Sequence, residues 1–329
     1  MIISQTPLRV SLSGGGTDFY DYYIHHEGFV VSTAIDKYVF VVVKERFDDL
    51  IYVSYTKKEI VENINEIQHD LVREAAKRTG MDKGFEVSMM ADIPSEGSGL
   101  GSSSSLTVGL LNGFYQYNGV QVTAEDLAQQ AYEIEVGILK RPIGKQDQYI
   151  AAYGGLSSFK FKKDDTVLVE KLKVGNDVKR RLGENLLLFY TNINRLSSTI
   201  LTEQKENIGH KREHLGKIKH LAHEVHDCIL KGTLDCVGET LDRNWIYKKQ
   251  LSSNISNPVI EEMHETAMKN GAIGAKISGA GGGGFLLVYC PREKQDRLHR
   301  AMKKYREMPF MLEPQGSRII FNYRRYDWK

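Results

Sequence analysis

The chain has 329 residues, 41% of them hydrophobic and 26% charged, the make-up of an ordinary globular protein large enough for two lobes. A formal net charge of +2, with every Lys/Arg-rich stretch short, speaks against a nucleic-acid or membrane partner. No span of eighteen apolar residues occurs and the N-terminus reads as a strand rather than a signal peptide, so a cytoplasmic protein is expected.

In chain order, strands are expected over about 2–12, 29–34, 37–45, 51–54 and 85–93, with helices near 66–79, 103–118 and 123–138. Residues 39–43 are apolar on both faces, which predicts a strand covered on both sides. Phe85, Val87, Met89, Ala91 and Ile93 alternate at period two, whereas Leu106, Leu110 and Phe114 recur at helical spacing. A turn at Pro142 and Gly144 leads into a short helix ended by Gly154 and Gly155. Two strands and a charged turn at residues 162–165 follow, then a strand at 186–190 and a helical region over about 198–270. Strands near 273–278 and 284–290, a helix near 292–306 and a strand near 318–323 complete the chain. Such long separate runs argue an α+β fold rather than a doubly wound sheet. A boundary at 185 would give lobes of 1–185 and 186–329.

The strand ending near 93 and the helix starting near 103 are joined by Pro94, Gly97, Ser98, Gly99, Leu100, Gly101, Ser102, Ser103, Ser104 and Ser105, with Ser95 and Glu96 between. This loop delivers bare N–H groups and hydroxyls to a helix N-terminus, where unpaired donors and the macrodipole favour an anion. Its glycines allow close backbone approach to a phosphate. No lysine follows the last glycine, as a Walker loop requires, and Ser102 occupies the third glycine position of a dinucleotide pattern. A merely flexible turn is the plain alternative. Residues 279–284 match G-x-G-x-x-G literally, but a strand follows instead of a helix, and the basic Lys303 and Lys304 stand where a ribose-binding acid belongs.

Three glycine-rich segments, at residues 6–18, 94–105 and 276–289, stand in the order that resembles the signature of the GHMP small-molecule kinases. The resemblance runs from about residue 4 to about residue 290. Thr6, Pro7, Leu8 and Arg9, followed by Gly14, Gly15, Gly16, Thr17 and Asp18, look like the branch that phosphorylates sugars at the anomeric hydroxyl. Residues 131–135, 144–155 and 190–197 are similar to the D-glycero-D-manno-heptose 7-phosphate kinases, although Asn192 stands where that group often has glycine. The resemblance implies an N-terminal lobe like ribosomal protein S5 domain 2 and a ferredoxin-like C-terminal lobe. The site would lie in the cleft beneath the 279–284 loop.

The implied activity is ATP-dependent phosphorylation of the C1 hydroxyl of heptose 7-phosphate to the 1,7-bisphosphate, for surface polysaccharide, with ATP and Mg²⁺ as cofactors. The alternatives are another anomeric sugar kinase, fucokinase-like, or a non-catalytic sensor of ATP and sugar on the same fold. A sugar phosphate and ATP are the expected partners, with a homodimer as the protein–protein option.

In the family a loop serine coordinates Mg²⁺ with a distant glutamate; here these would be Ser104, with Ser103 and Ser105 as rivals, and Glu135, with Glu133 as its rival. An ordinary exposed helix acid is the plain reading of either glutamate. Asp147 would be the base taking the attacking hydroxyl's proton. Arg9 would offset phosphoryl charge or tune Asp147, using a fork that lysine lacks. Asp18 would grip sugar hydroxyls or cap the helix starting near Phe19. Thr17, Gly279, Gly281 and Gly282 are expected at the substrate. Lys145 and Arg195 are candidates for a substrate phosphate, together with Lys140, Arg141, His25 and His26. His223 and His226 fall one residue short of H-E-x-x-H and read as a solvated or interface face. Cys228, Cys236 and Cys290 lack metal-ligand spacing, and their odd number suggests free thiols in a reducing compartment.

Overall fold

The computed structural model describes residues 1–93, 97–193 and 197–323. From the N-terminus come β1 (Ile2–Ser13), α1 (Tyr20–His26), β2 (Gly28–Glu45), β3 (Ile51–Ser54), β4 (Lys58–Val61), α2 (Asp70–Thr79), β5 (Phe85–Ala91), α3 (Ser102–Tyr117), α4 (Ala124–Tyr132), α5 (Gln146–Tyr153), β6 (Leu156–Phe161) and β7 (Val167–Lys171). The remainder is α6 (Asn176–Asn185), β8 (Leu186–Tyr190), α7 (Ser197–Glu206), α8 (Arg212–Lys231), α9 (Asp235–Lys248), α10 (Pro258–Lys269), β9 (Gly274–Ile277), β10 (Phe285–Tyr289), α11 (Gln295–Met302) and β11 (Arg318–Asn322).

The first sheet has eight strands and is organised by β2, which runs 18 residues without a break where the sequence suggested two strands. Its C-terminal half pairs with β5 and its N-terminal half with β6, both antiparallel. The register with β1 slips between Pro7 and Leu8, so Asp36 and Lys37 are accommodated as a bulge instead of ending the strand. Both faces of this sheet are covered, as the apolar run at 39–43 predicted. Val41 and Val43 pack with α2 to α5, while Leu8, Val10, Val31 and Val39 pack with α8 and α9. The second sheet, in the order β8-β10-β9, is antiparallel and sits on α10 and α11 through Leu286, Val288, Met263 and Leu298.

Helix starts follow local chemistry. Thr123 and Asp126 form a reciprocal capping box on α4, and Asn257 with Pro258 opens α10. After α4 the chain makes one π-helical turn at Glu133–Ile138, which turns Glu135 fully inward and leaves Glu133 exposed in an ion pair with Arg78.

Three results depart from the sequence reading. β11 pairs with β1, so the last described strand returns to the first sheet although the boundary at 185 would group it with the second half. α6 and β4 were not anticipated, because each carries too few apolar residues to set a period. Cys228 and Cys236 are joined in a disulfide between the last turn of α8 and the first of α9, which corrects the expectation of three free thiols; Cys290 is free and buried. No helix among the described residues is long and apolar enough to cross a membrane.

Candidate active site

The 97–105 loop is held against β1. Arg9 N–H donates to Leu100 O at 3.0 Å, and Ser105 Oγ donates to Pro7 O at 2.8 Å. Ser105 is thus a fastener. Gly101 is the N-cap of α3 with φ of 78°, and no side chain among the described residues caps the helix, so its first-turn N–H groups keep their affinity for an anion. Ser102, Ser103 and Ser104 line a pocket of 350 Å³ with Gly97, Gly99 and Arg9. Pro94 lies outside the described residues.

Glu135 lies one layer behind those serines. Its carboxylate accepts from Ser103 Oγ at 2.5 Å, Ser104 Oγ at 2.7 Å and Gln148 Nε2 at 2.7 Å. Burial pushes its pKa up, against the pull of these donors and of Arg141. Arg141 is itself committed, to Ser103 Oγ at 2.5 Å and to the Asp70 carboxylate at 3.0 and 3.1 Å.

Arg9 and Asp147 form a two-pronged pair. Nε donates to Oδ1 and Nη2 to Oδ2, both at 2.7 Å, while Nη1 donates to Gly99 O at 2.6 Å. Asp147 is the second residue of α5, in the helical position the sequence indicated. The pair separates the pocket of the 97–105 loop from a second cavity of 80 Å³ lined also by Ser11, Asp18, Gln146, Asn244, Lys248 and Lys276. Ser11 Oγ and Gln146 Oε1 are buried there without a hydrogen-bond partner among the described residues, an arrangement suited to a polyhydroxylated ligand.

Asp18 sits in this cavity, buried, and caps α5 rather than α1. It accepts from Gly16 N at 2.8 Å and from Gln146 N at 3.2 Å. Burial, then the nearby charge of Asp147, push its pKa from 3.8 up to about 6. The folded chain therefore holds this proton more tightly than the unfolded chain. The resulting stability is present below about pH 4 and is lost as pH rises through 6. In urea unfolding at a series of pH values, Asp18→Asn should gain on the wild type by about 3 kcal/mol between pH 4 and 7. Parallel profiles for the two proteins would contradict this.

Of the other expected site residues, only Gly279 is placed at the cavities among the described residues. Thr17 braces the turn, its hydroxyl donating to Gly14 O at 2.8 Å. Lys145 turns away from the cleft: its ammonium donates to Asp165 Oδ1 at 2.6 Å and faces the rings of Tyr23 and Tyr132. Arg195 lies outside the described residues. Gly279 lines both cavities, but Gly281 and Gly282 pack on Ile255 and shape the loop from behind. His25 and His26 are exposed at the end of α1.

The sequence reading missed two cationic residues, Lys248 and Lys276. Lys248 Nζ donates to Ile277 O at 3.0 Å and Gly279 O at 2.5 Å, and burial with Arg9 nearby pushes its pKa down to about 7. Lys276 opens the third glycine segment and could have been noticed there; Lys248 ends an ordinary-looking helix and could not. Also unanticipated is an apolar groove of 570 Å³ beside the loop, lined by Tyr55, Met89, Met90, Ile93 and Leu106.

Residues 54–155 match the GHMP kinases N terminal domain, and residues 225–307 match the GHMP kinases C terminal region. The chain is 31% identical over 320 residues to the D-glycero-alpha-D-manno-heptose 7-phosphate kinase of Campylobacter jejuni, covering 92% of this chain and 93% of that protein. The crystal structure of a D-glycero-D-manno-heptose 1-phosphate kinase from Bacteroides thetaiotaomicron matches with a TM-score of 0.83 and 25% identity, over 98% of this chain and 100% of that one. The galactose complex of Lactococcus lactis galactokinase shares the fold, with a TM-score of 0.78 at 17% identity over 96% and 94% of the two chains. With both domain matches in order and a relative aligned along almost its whole length, this chain belongs to the GHMP kinase family of ATP-dependent phosphotransferases.

Proposed function

We propose that the protein transfers the γ-phosphoryl group of ATP to the anomeric C1 hydroxyl of D-glycero-D-manno-heptose 7-phosphate, yielding the 1,7-bisphosphate and ADP. The observation that carries this reading is the position of Asp147, on the wall where the phosphate pocket meets the polar cavity. A sugar in the polar cavity presents a hydroxyl to Asp147. That hydroxyl gives up its proton, its oxygen bonds to the γ-phosphorus, and the bond to the bridging oxygen breaks. The Campylobacter relative supports the heptose and the placement of its phosphate at C7. The Bacteroides protein supports the heptose, its name placing a phosphate at C1.

On the nucleotide side, the α3 N-terminus and the Gly97, Gly99 and Gly101 backbone take the phosphates, and the apolar groove takes the base. Hard oxygen donors are present for Mg²⁺: the Ser104 hydroxyl opens on the pocket, with Glu135 directly behind it. The described residues contain no cluster of three or more His, Cys, Asp or Glu that would cage a metal, which suits an ion that keeps phosphate and water ligands. Bound there, magnesium would neutralise phosphate oxygens. Arg9, with its donors spread over Asp147 and Gly99 O, holds the base and the loop in one frame.

The test is ADP release with Mg-ATP and a panel of heptose 7-phosphate, heptose, mannose, fucose and galactose. Turnover is expected to favour heptose 7-phosphate by at least about tenfold in kcat/KM, a difference of roughly 1.4 kcal/mol. Preference for an unphosphorylated sugar would replace the substrate and keep the kinase. Saturable binding of ATP and sugar without turnover would leave a sensor.

A further inference from the structure

Among the described residues, five charged ones line the polar cavity: Arg9, Lys248 and Lys276 against Asp18 and Asp147. The carboxylates are already served, Asp147 by Arg9 and Asp18 by backbone N–H groups and Gln146. Arg9 has each of its three nitrogens engaged, and Lys248 donates to two carbonyls. Lys276 differs. It is 4% exposed, it lines the cavity, and among the described residues its ammonium has no hydrogen-bond or ion-pair partner. Two of the other basic candidates for a substrate anion are spent, Arg141 on Asp70 and Ser103, Lys145 on Asp165. An unpaired buried ammonium is costly, and an anion on the ligand is the group that would offset it.

We propose that Lys276, with Lys248 beside it, receives the anionic group of the acceptor and so determines the preference for a phosphorylated over a neutral sugar. This rests on the kinase reading above and adds to it the residue that recognises the substrate's charge. Lys276 faces the acceptor cavity and does not line the pocket formed by the 97–105 loop, so it reads the acceptor rather than the nucleotide. Among the described residues, the charged groups facing it are Lys248 from α9, Arg9 from β1, Asp18 from the turn after β1 and Asp147 from α5. Burial, with Lys248 and Arg9 close by, pushes the Lys276 ammonium well below the ordinary lysine range. A phosphate entering the cavity opposes that push, because an anion beside the amine favours its charged form.

The experiment compares wild type, Lys276→Met and Lys276→Arg on heptose 7-phosphate and on unphosphorylated heptose. The ratio of kcat/KM for the two acceptors should fall by roughly 10–100-fold in Lys276→Met and recover partly in Lys276→Arg, which keeps the charge. The ratio cancels any loss of folded enzyme. An unchanged ratio in Lys276→Met would overturn the proposal. So would a wild type that uses both acceptors equally well, and in that case the kinase reading survives; a wild type that turns over no sugar brings down both. Should Lys276→Met be inactive on both acceptors, calorimetry of the wild type and Lys276→Arg at pH 8, in buffers of different ionisation enthalpy, decides. Greater proton uptake with heptose 7-phosphate than with heptose, lost in Lys276→Arg, whose guanidinium is already charged and leaves only Lys248 to titrate, supports Lys276 as the receptor; equal uptake, or an excess that Lys276→Arg keeps, refutes it.

Discussion

Asp147→Asn is expected to lower kcat by about 10²–10⁴-fold while ATP affinity stays within a few-fold of wild type. The substitution keeps the size of the side chain and removes the oxygen that can take a proton. It also leaves an amide N–H group facing the Arg9 fork, where both carboxylate oxygens now accept at 2.7 Å. Arg9 would then give up one of two charge-assisted hydrogen bonds, so part of the loss would reflect a displaced fork. Arg9→Lys separates the two effects. It retains a positive charge beside an intact carboxylate but cannot span both Asp147 and Gly99 O, so it should raise the ATP KM as well as lower kcat. Rapid-quench measurement of the chemical step at saturating ATP and sugar reads the first effect, and nucleotide titration reads the second. An Asp147→Asn enzyme within tenfold of wild-type kcat would remove Asp147 as the base.

The placement of the candidate site residues was legible where a turn or a motif fixes backbone geometry, and illegible where a partner distant in sequence decides. Asp147 and Glu135 were named through the resemblance to the GHMP kinases, and a Pro/Gly turn and a helical period then set each in its local structure. That Glu135 and not Glu133 turns inward depended on the π turn, whose extra residue no period reveals. Asp18 was read as gripping sugar hydroxyls or capping the helix after it; the cap it supplies is on α5, more than a hundred residues further along, because Gly144 lets the two segments touch. Lys145 was read as a substrate ligand on position alone, yet it is held by Asp165 in a turn the sequence marks only as charged. The return of β11 to β1 is likewise a pairing across the whole chain, without local trace.

Gly279→Ala should raise the ATP KM by about 10–100-fold and lower stability by about 2–3 kcal/mol, because the second and third glycine segments meet backbone to backbone. A Cβ on Gly279 would lie 2.5 Å from Gly99 Cα and 2.7 Å from Gly99 O, and one on Gly99 would lie 2.6 Å from Ser278 O. Gly284 repeats the pattern, 2.5 Å from Ser98 O. The nearest described atoms in these gaps are all backbone, so no side chain can swing aside and the loop itself must retreat. Its retreat pulls Gly99 O from Arg9, and with it the frame that holds Asp147. Gly279 also has φ of 63°, which adds strain for any residue with a Cβ. The control is Gly216→Ala on α8, where nothing lies within 4 Å and the backbone is helical; it should gain about 0.5–1 kcal/mol and leave the ATP KM alone. Thermal unfolding and ATP kinetics of both variants, with Gly99→Ala and the double substitution, test the contact directly. The losses from Gly99→Ala and Gly279→Ala should be less than additive, since either one already opens the same gap. A destabilised Gly279→Ala enzyme with wild-type ATP KM would confine this contact to holding the fold and detach it from the nucleotide.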